Sequence, residues 1–266
     1  MELKVKDDFD LEVIAESGQC FRFNKAENNT YRIVAFGRVL TIEKIKENTF
    51  KLDCSKDDCK KIWYPYFDMD TDYSAIRKKV GDNTFLKECA DYSKGMRILR
   101  QDKWEMIISF IISQRKSIPA IKTSIERLSK ICGDKIDDEN HAFPTPIQIL
   151  SVSPEKLASC GLGYRLDYII KAAEMFYENP LLVEEMDKLD DEKLFEELKK
   201  LQGVGDKVAS CVALFGYHRL NFFPKDVWIN RALCEHFPDG YDMSLYAPYN
   251  GVVQQYIFFA YRSKNK

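Results

Sequence analysis

Leu201-Gln202-Gly203-Val204-Gly205-Asp206-Lys207 is the stretch from which the rest of the chain can be read. Leu194, Leu198 and Leu201 repeat at helical spacing, so a helix over Asp190 to Leu201 runs into a Gly-Val-Gly turn. A second, apolar helix restarts at Lys207. The two glycines let the chain fold back tightly and leave backbone N–H groups unobstructed, so a phosphate can approach the N-terminus of the second helix. A helix–hairpin–helix of this kind grips a nucleic-acid backbone without reading bases. Two further residues suggest more than binding. Lys207 sits at the mouth of the hairpin, and Asp226 follows it by 19 residues, also opening a helix. An amine nucleophile and a carboxylate are what is needed to attack a sugar carbon and expel a base. A lysine nucleophile works at neutral pH where partial burial and a helix N-terminus disfavour the ammonium form. The plainer reading of such a lysine is a phosphate contact, and that of Asp226 is an N-cap for the helix beginning at Val227.

Outward from the hairpin, the chain divides by hydrophobic period. Residues 1 to about 65 read as β, with alternation at Phe21-Arg22-Phe23, over Tyr31 to Phe36, over Val39 to Ile45, and at Phe50, Leu52 and Cys54. Asn28-Asn29 and Gly37-Arg38 supply turn chemistry, giving an antiparallel meander. From Tyr73 the period becomes helical. Asp102 and Glu105 have capping-box spacing ahead of Trp104, Ile107, Ile108, Ile111 and Ile112, which predict a central helix buried on nearly all sides. Ser117-Ile118-Pro119 opens another helix, Pro144 and Pro146 read as a linker, and helices follow from Ser153, over Tyr164 to Tyr177, over Asp226 to His236 and over Leu245 to Tyr261. The expected class is α+β: an antiparallel β domain over 1–72, a helical domain over 73–190, and a helix–hairpin–helix part over 191–266 whose last helix packs with the first domain.

Composition limits the function classes. No apolar run is long enough to span a bilayer, and Met1 to Asp8 is charged, without a secretory apolar region. The eight cysteines, at 20, 54, 59, 89, 132, 160, 211 and 234, then read as reduced thiols of an intracellular protein, in cytoplasm or nucleoid for a prokaryote. Only Cys54 and Cys59 lie close, with no second pair at metal-ligand spacing, so neither zinc nor an iron–sulfur cluster is expected. The net charge of −2 weighs against nucleic-acid binding. However, acidic residues cluster at Asp137-Asp138-Glu139 and Glu184-Glu185, which leaves room for a basic face among 40 lysines and arginines.

The segment Leu201 to Ala209, together with Pro224-Lys225-Asp226-Val227, resembles the signature of the helix–hairpin–helix Gly/Pro-Asp DNA glycosylase superfamily. Within it the chain resembles the 8-oxoguanine DNA glycosylase/lyase family of the eukaryotic-like type, as a prokaryotic member. Ser17-Gly18-Gln19-Cys20-Phe21-Arg22-Phe23, Tyr66 to Asp70, Ile98 to Asp102, Gly161 to Arg165 and Pro248 to Gln254 also match family segments. The resemblance implies excision of 8-oxoguanine from duplex DNA by Lys207 attack at C1′, a Schiff base and β-elimination, with Asp226 assisting. It implies that the Gly18 carbonyl accepts N7–H of the lesion, that Gln254 bonds its Watson–Crick edge, and that Phe258 and Cys211 sandwich its ring. Gly203, Gly205 and Val208 would donate backbone N–H groups to phosphate, and the carbonyls of Lys199, Leu201 and Val204 would hold a monovalent cation. The resemblance also implies that no cofactor is required, that the partner is double-stranded DNA containing 8-oxoguanine, and that the enzyme is a monomer.

The chain departs from the family in three places. Arg115 stands where an asparagine often fills the gap left by the flipped base, and the arginine expected near Ala120 is missing. Tyr164 and Arg165 remain as candidates for a wedge and an opposite-cytosine contact, and with the other arginine missing, preference for cytosine opposite the lesion should be weaker than in the eukaryotic enzymes. Trp228 replaces a histidine that contacts phosphate, and could stack on Phe258 instead. The rivals are a glycosylase for another damaged purine, against which Gly18 and Gln254 argue, and a non-catalytic hairpin protein, which would need neither Lys207 nor Asp226.

Overall fold

The computed structural model describes residues 1–81 and 83–265. Five strands, β1 (Glu2–Lys4), β2 (Phe23–Glu27), β3 (Thr30–Ala35), β4 (Arg38–Lys46) and β5 (Thr49–Leu52), form one antiparallel sheet in the order β1-β5-β4-β3-β2. The tight turns fall at Asn28-Asn29, at Phe36-Gly37 and at Glu47-Asn48, where Asn29, Phe36, Gly37 and Asn48 take positive φ. The second turn lies one residue earlier than Gly37-Arg38, because Arg38 already pairs with Ala35. Register sets Phe23 opposite Ile33, Ile33 opposite Leu40, and Ile42 opposite Leu52, which gathers the apolar residues on one buried face.

The sequence reading misses several short elements in this half. Leu11–Glu16 is a helix capped by Asp10, whose Oδ1 accepts from Glu12 N and Val13 N. A helical run continues through Lys56–Asp58, Cys59–Trp63 and Tyr64–Tyr66, so Cys54 follows the end of β5 and Cys59 lies within the helical run. The first is too short to develop a helical period, and a π-helical turn over Cys59–Trp63 interrupts the 3.6-residue spacing of the second.

The helical body has its own larger core. Lys103–Ser113 runs through its centre, with every residue from Glu105 to Ile112 buried. The expected capping box is only half made. Asp102 Oδ1 accepts the Glu105 amide at 2.8 Å, but the Glu105 side chain turns into the protein instead of reaching back. A complete box occurs at Thr145 and Gln148, opening a helix over Pro146–Leu150 where the two prolines suggested only a linker. Leu182–Asp187 is also helical, and the last helix covers Asn250–Lys264, starting later than Leu245.

Burial pushes Glu105 up to about 8, with Asp102 and Glu126 adding to the rise and only the Arg22 guanidinium opposing it. Burial raises Asp102 as well. A carboxyl whose folded pKa lies above its unfolded value stabilises the fold fully at low pH, and that stability is lost as pH rises from the ordinary glutamate range to about 8. Glu105→Gln should therefore raise the thermal midpoint little at about pH 5 and clearly at about pH 9, by a contribution on the order of a few kcal/mol. Melting curves across that range check it; a constant difference between variant and parent would contradict it.

Two buried polar networks clamp the sheet to the helices. Arg22 donates to both Glu126 oxygens, at 3.0 and 3.2 Å, and to the His141 carbonyl at 2.7 Å. Arg97, fully buried, donates to the carbonyls of Asp8 and Asp68 and to Asp7 Oδ2, with its guanidinium 4.7 Å from the Tyr73 ring centroid. Burial alone would raise the Asp68 carboxyl, but His218, Thr71 and Arg100 outweigh it and hold the group well below the usual range. His218 thus has a structural role, 3.4 Å from Asp68 Oδ2.

Candidate active site

The hairpin forms as its sequence requires. Asp190 caps the helix Asp191–Lys199 by accepting from Lys193 N at 2.8 Å, and Leu201 and Val204 turn into the core. Gly203 has φ +77°, and a Cβ there would lie 2.3 Å from the Tyr168 ring, so conformation and packing both demand glycine. Gly205 differs: a Cβ would meet nothing within 4 Å. It is the N-cap of Asp206–Phe215, which begins one residue before Lys207 and carries no side-chain cap. Its first-turn amides, Val208 among them, therefore have no side chain to satisfy them, and the positive end of the helix dipole faces open space. Lys199 bridges the hairpin, with its Nζ 3.2 Å from Asp206 and 3.4 Å from Glu196.

A cavity of about 620 Å³ opens beside this helix N-terminus. Lys207, Asp226, Trp228, Gly18, Phe258 and Phe110 are among its lining residues. They come from separate parts of the chain: the hairpin, the start of Val227–His236, the turn after Leu11–Glu16, the last helix and the central helix. Lys207 is exposed at this wall, more open than the partial burial expected, and its Nζ lies 5.7 Å from the Phe110 ring centroid. Asp226 caps its helix as expected, with Oδ1 accepting from Ile229 N at 2.9 Å, and its Oδ2 is bonded to nothing among the described residues. The cap thus engages one carboxylate oxygen and leaves the other without a hydrogen-bond partner among the described residues.

Gly18 is held from both sides. Ser17 Oγ donates to the Ile14 carbonyl at 2.7 Å. The Gln19 amide donates to the Arg97 carbonyl and accepts from Leu99 N, each at 2.8 Å. At φ +77°, a Cβ on Gly18 would come within 3.3 Å of both Ile118 and Phe258. The turn is therefore pre-set at the cavity edge, the preorganisation that a single-carbonyl reader needs.

Not every expected base contact faces the opening. Gln254 is buried, with Nε2 donating to the Pro224 carbonyl at 3.0 Å and Oε1 accepting from Gln255 at 2.9 Å. In this state it anchors the segment leading to Asp226, and a base would have to replace one of these partners. Cys211, one turn beyond Lys207, is buried behind the wall. Burial raises its thiol pKa, while neighbouring Lys207 pulls the other way.

The wedge candidates lie elsewhere. Arg115 is exposed, with φ +51°, in the turn between Lys103–Ser113 and Ile118–Cys132. Tyr164 is 51% exposed, and the Arg165 guanidinium packs 4.4 Å from its ring centroid. Arg165 itself is buried and donates to the carbonyls of Leu162 and Gln114. It ties the Arg115 turn to Tyr164, so the structure places it as a strut and not as the free donor expected to meet a base. Trp228 carries the Arg231 guanidinium 5.5 Å from its ring, and no Trp228–Phe258 ring pair occurs among the described residues.

Sequence reasoning missed Phe110, Lys116 and Arg262 as lining residues. Phe110 lay hidden in a helix read as uniformly buried. Lys116 donates to Ser124 Oγ at 2.6 Å and to the Gly161 carbonyl at 2.5 Å; burial lowers its pKa, helped by Arg165 and Arg127. Arg262 looked like an ordinary basic residue of a last helical turn.

Residues 2–107 match the family described as 8-oxoguanine DNA glycosylase, N-terminal domain, and residues 108–241 match the HhH-GPD superfamily of base excision DNA repair proteins. Similar solved structures include one of MBOgg1 in complex with a low affinity DNA ligand, at TM-score 0.94 and 32% identity over 100% of this chain and 96% of that one. Another is the 8-oxoguanine glycosylase/lyase of Clostridium acetobutylicum with double-stranded DNA containing cytosine opposite 8-oxoG, at TM-score 0.90 and 32% identity over 100% and 99%. Among curated proteins, a probable N-glycosylase/DNA lyase of Methanothermobacter thermautotrophicus is 30% identical over 63% of this chain and 59% of its own length. The N-glycosylase/DNA lyase of Saccharomyces cerevisiae is 32% identical over 67% and 52%. The chain thus spans little more than half the length of these curated relatives.

Proposed function

Since the chain belongs to the HhH-GPD superfamily of base excision DNA repair proteins and carries the N-terminal domain of 8-oxoguanine DNA glycosylases, we propose that it is a bifunctional glycosylase and lyase that excises 8-oxoguanine from duplex DNA. The observation that carries this reading is the placement of Lys207 and Asp226 in one cavity with Gly18 and Phe258. In its neutral form, the Lys207 amine attacks C1′. The glycosidic bond breaks, its electron pair leaves with the base, and the base takes up the proton that Nζ loses once it is bonded to C1′. The free Asp226 oxygen stabilises the positive charge that develops on the sugar. Ring opening gives a Schiff base on Nζ, which acidifies C2′–H. Loss of that proton expels the 3′-phosphate and cuts the strand.

The open first turn at Gly205 to Val208, with the Gly203 turn before it, receives a backbone phosphate. The carbonyls of Lys199, Leu201 and Val204 lie at the negative end of the preceding helix. Leu201 O accepts the Val204 amide at 3.0 Å and keeps a second lone pair, so the donor set suits a monovalent cation. That cation would add positive charge near the phosphate. No organic cofactor is needed, because nucleophile and carboxylate are side chains. The enzyme in this reading is a monomer acting on double-stranded DNA. No helix among the described residues is long and apolar enough to cross a membrane.

Because Arg165 is committed to carbonyls and Ala120 replaces an arginine, selection of the opposite base should be weak. Single-turnover excision with each of the four bases opposite the lesion should differ by about tenfold or less, the spread expected without a bidentate contact. A strong requirement for cytosine would contradict this. The function itself is tested by incubating the protein with a duplex carrying one 8-oxoguanine and with its undamaged counterpart. Base release with strand cleavage on the first alone is expected; cleavage of neither leaves the DNA-binding rival.

A further inference from the structure

Arg262 is not among the residues that the sequence pattern assigns, yet it is built into the cavity. It projects from the last helix, is 6% exposed, and lines the same opening as Lys207 and Gly18. Its Nη2 donates to the Glu16 carbonyl at 2.6 Å, just before the Gly18 turn. The guanidinium lies 5.0 Å from the Phe258 ring centroid, and its Nη1 is 3.5 Å from where a Cβ on Gly18 would stand. Nη1 and Nε are both buried without a hydrogen-bond partner. No carboxylate lies within ion-pair distance of the group among the described residues. Unpartnered buried donors are uncommon because each carries a desolvation cost, so a guanidinium with two of them calls for an explanation.

Resting on the reading that an extruded 8-oxoguanine enters this cavity, we infer that Arg262 is a specificity-determining residue that donates to a carbonyl oxygen of the base beside N7. Gly18, Phe258 and Nη1 converge on one point. A base whose N7–H meets the Gly18 carbonyl and whose face meets Phe258 brings an acceptor oxygen next to that point, since O6 and the C8 oxygen flank N7. Entry of the base displaces the Phe258 ring from the guanidinium and supplies the missing acceptor. Arg262 thus complements Gly18: one accepts from the lesion, and the other donates to its neighbouring oxygen.

The test compares Arg262→Met with the parent protein in two single-turnover reactions: release of 8-oxoguanine and cleavage of a preformed abasic site. The second needs Lys207 but no base. Base release should fall by about tenfold to a hundredfold more than abasic-site cleavage, as expected for loss of a partner to a buried polar group. Parallel loss in both reactions, or no loss in either, would overturn the inference. Should Arg262→Met fail to fold, Arg262→Lys keeps a donor for Glu16 but lacks the forked second nitrogen, and should show the same split in smaller degree; equal rates would overturn the inference. An 8-oxoadenine duplex identifies the oxygen. It keeps the C8 oxygen and N7–H but carries an amino group at C6. Loss on both lesions supports contact with the C8 oxygen, and loss on 8-oxoguanine alone supports O6. A parent protein that cuts abasic DNA but releases no 8-oxoguanine would sink the lesion assignment itself, a result distinct from any behaviour of the variants.

Discussion

Lys207→Gln is expected to abolish strand cleavage at 8-oxoguanine while leaving the protein folded and able to bind the duplex. Glutamine is close in length and is tolerated in a helix, and Lys207 is exposed at the cavity wall, so little packing is lost. What disappears is the amine. Without it no Schiff base forms, C2′–H is not acidified, and the lyase step has no route. Single-turnover cleavage should fall on the order of 10⁴-fold or more, the range seen when an enzyme loses its nucleophile. Binding to lesion DNA, followed by anisotropy, should change far less, because Gly18, Phe258 and the open helix N-terminus are untouched. Retained cleavage would move the nucleophile elsewhere, and the other lysines lining the cavity are Lys116 and Lys122.

Asp226 allows its two roles to be separated. Its Oδ1 caps the helix Val227–His236, and the second oxygen is free. Asparagine caps as well as aspartate does, so Asp226→Asn should melt within about 0.5 kcal/mol of the parent. It removes the negative charge, however, and excision should fall by about 10²- to 10³-fold, as for loss of an electrostatic stabiliser of the transition state. Asp226→Ala should lose the same activity and in addition about 1 kcal/mol of stability, as the Ile229 amide loses its acceptor. Thermal melts and excision rates on the pair read both. An Asp226→Asn protein with full activity would reduce Asp226 to a helix cap.

What was legible in the sequence is what rests on local chemistry. The hairpin, the capping aspartate at 226, the buried central helix and the alternating strands each follow from neighbours within a few residues. The short helices at Leu11–Glu16 and Pro146–Leu150 were not legible, because one or two turns carry no usable period. Glu105 illustrates a different failure: its spacing from Asp102 fits a capping box, yet the side chain is drawn inward among residues distant in sequence. At the site, Lys207, Asp226, Gly18 and Phe258 were identified and share one cavity. The orientations of Gln254 and Arg165 depend on Pro224, Gln255, Leu162 and Gln114, and only the packed fold brings all of these partners into place. Arg262 escaped notice for the same reason: its significance comes from Gly18, more than two hundred residues earlier.

The most direct test of the central claim is borohydride trapping on a duplex carrying one 8-oxoguanine, followed by peptide mapping of the adduct. The account predicts a covalent protein–DNA species on the damaged duplex only, with the modification on Lys207 and none formed by Lys207→Gln. An adduct mapped to another lysine, or base release with no adduct at all, would contradict it.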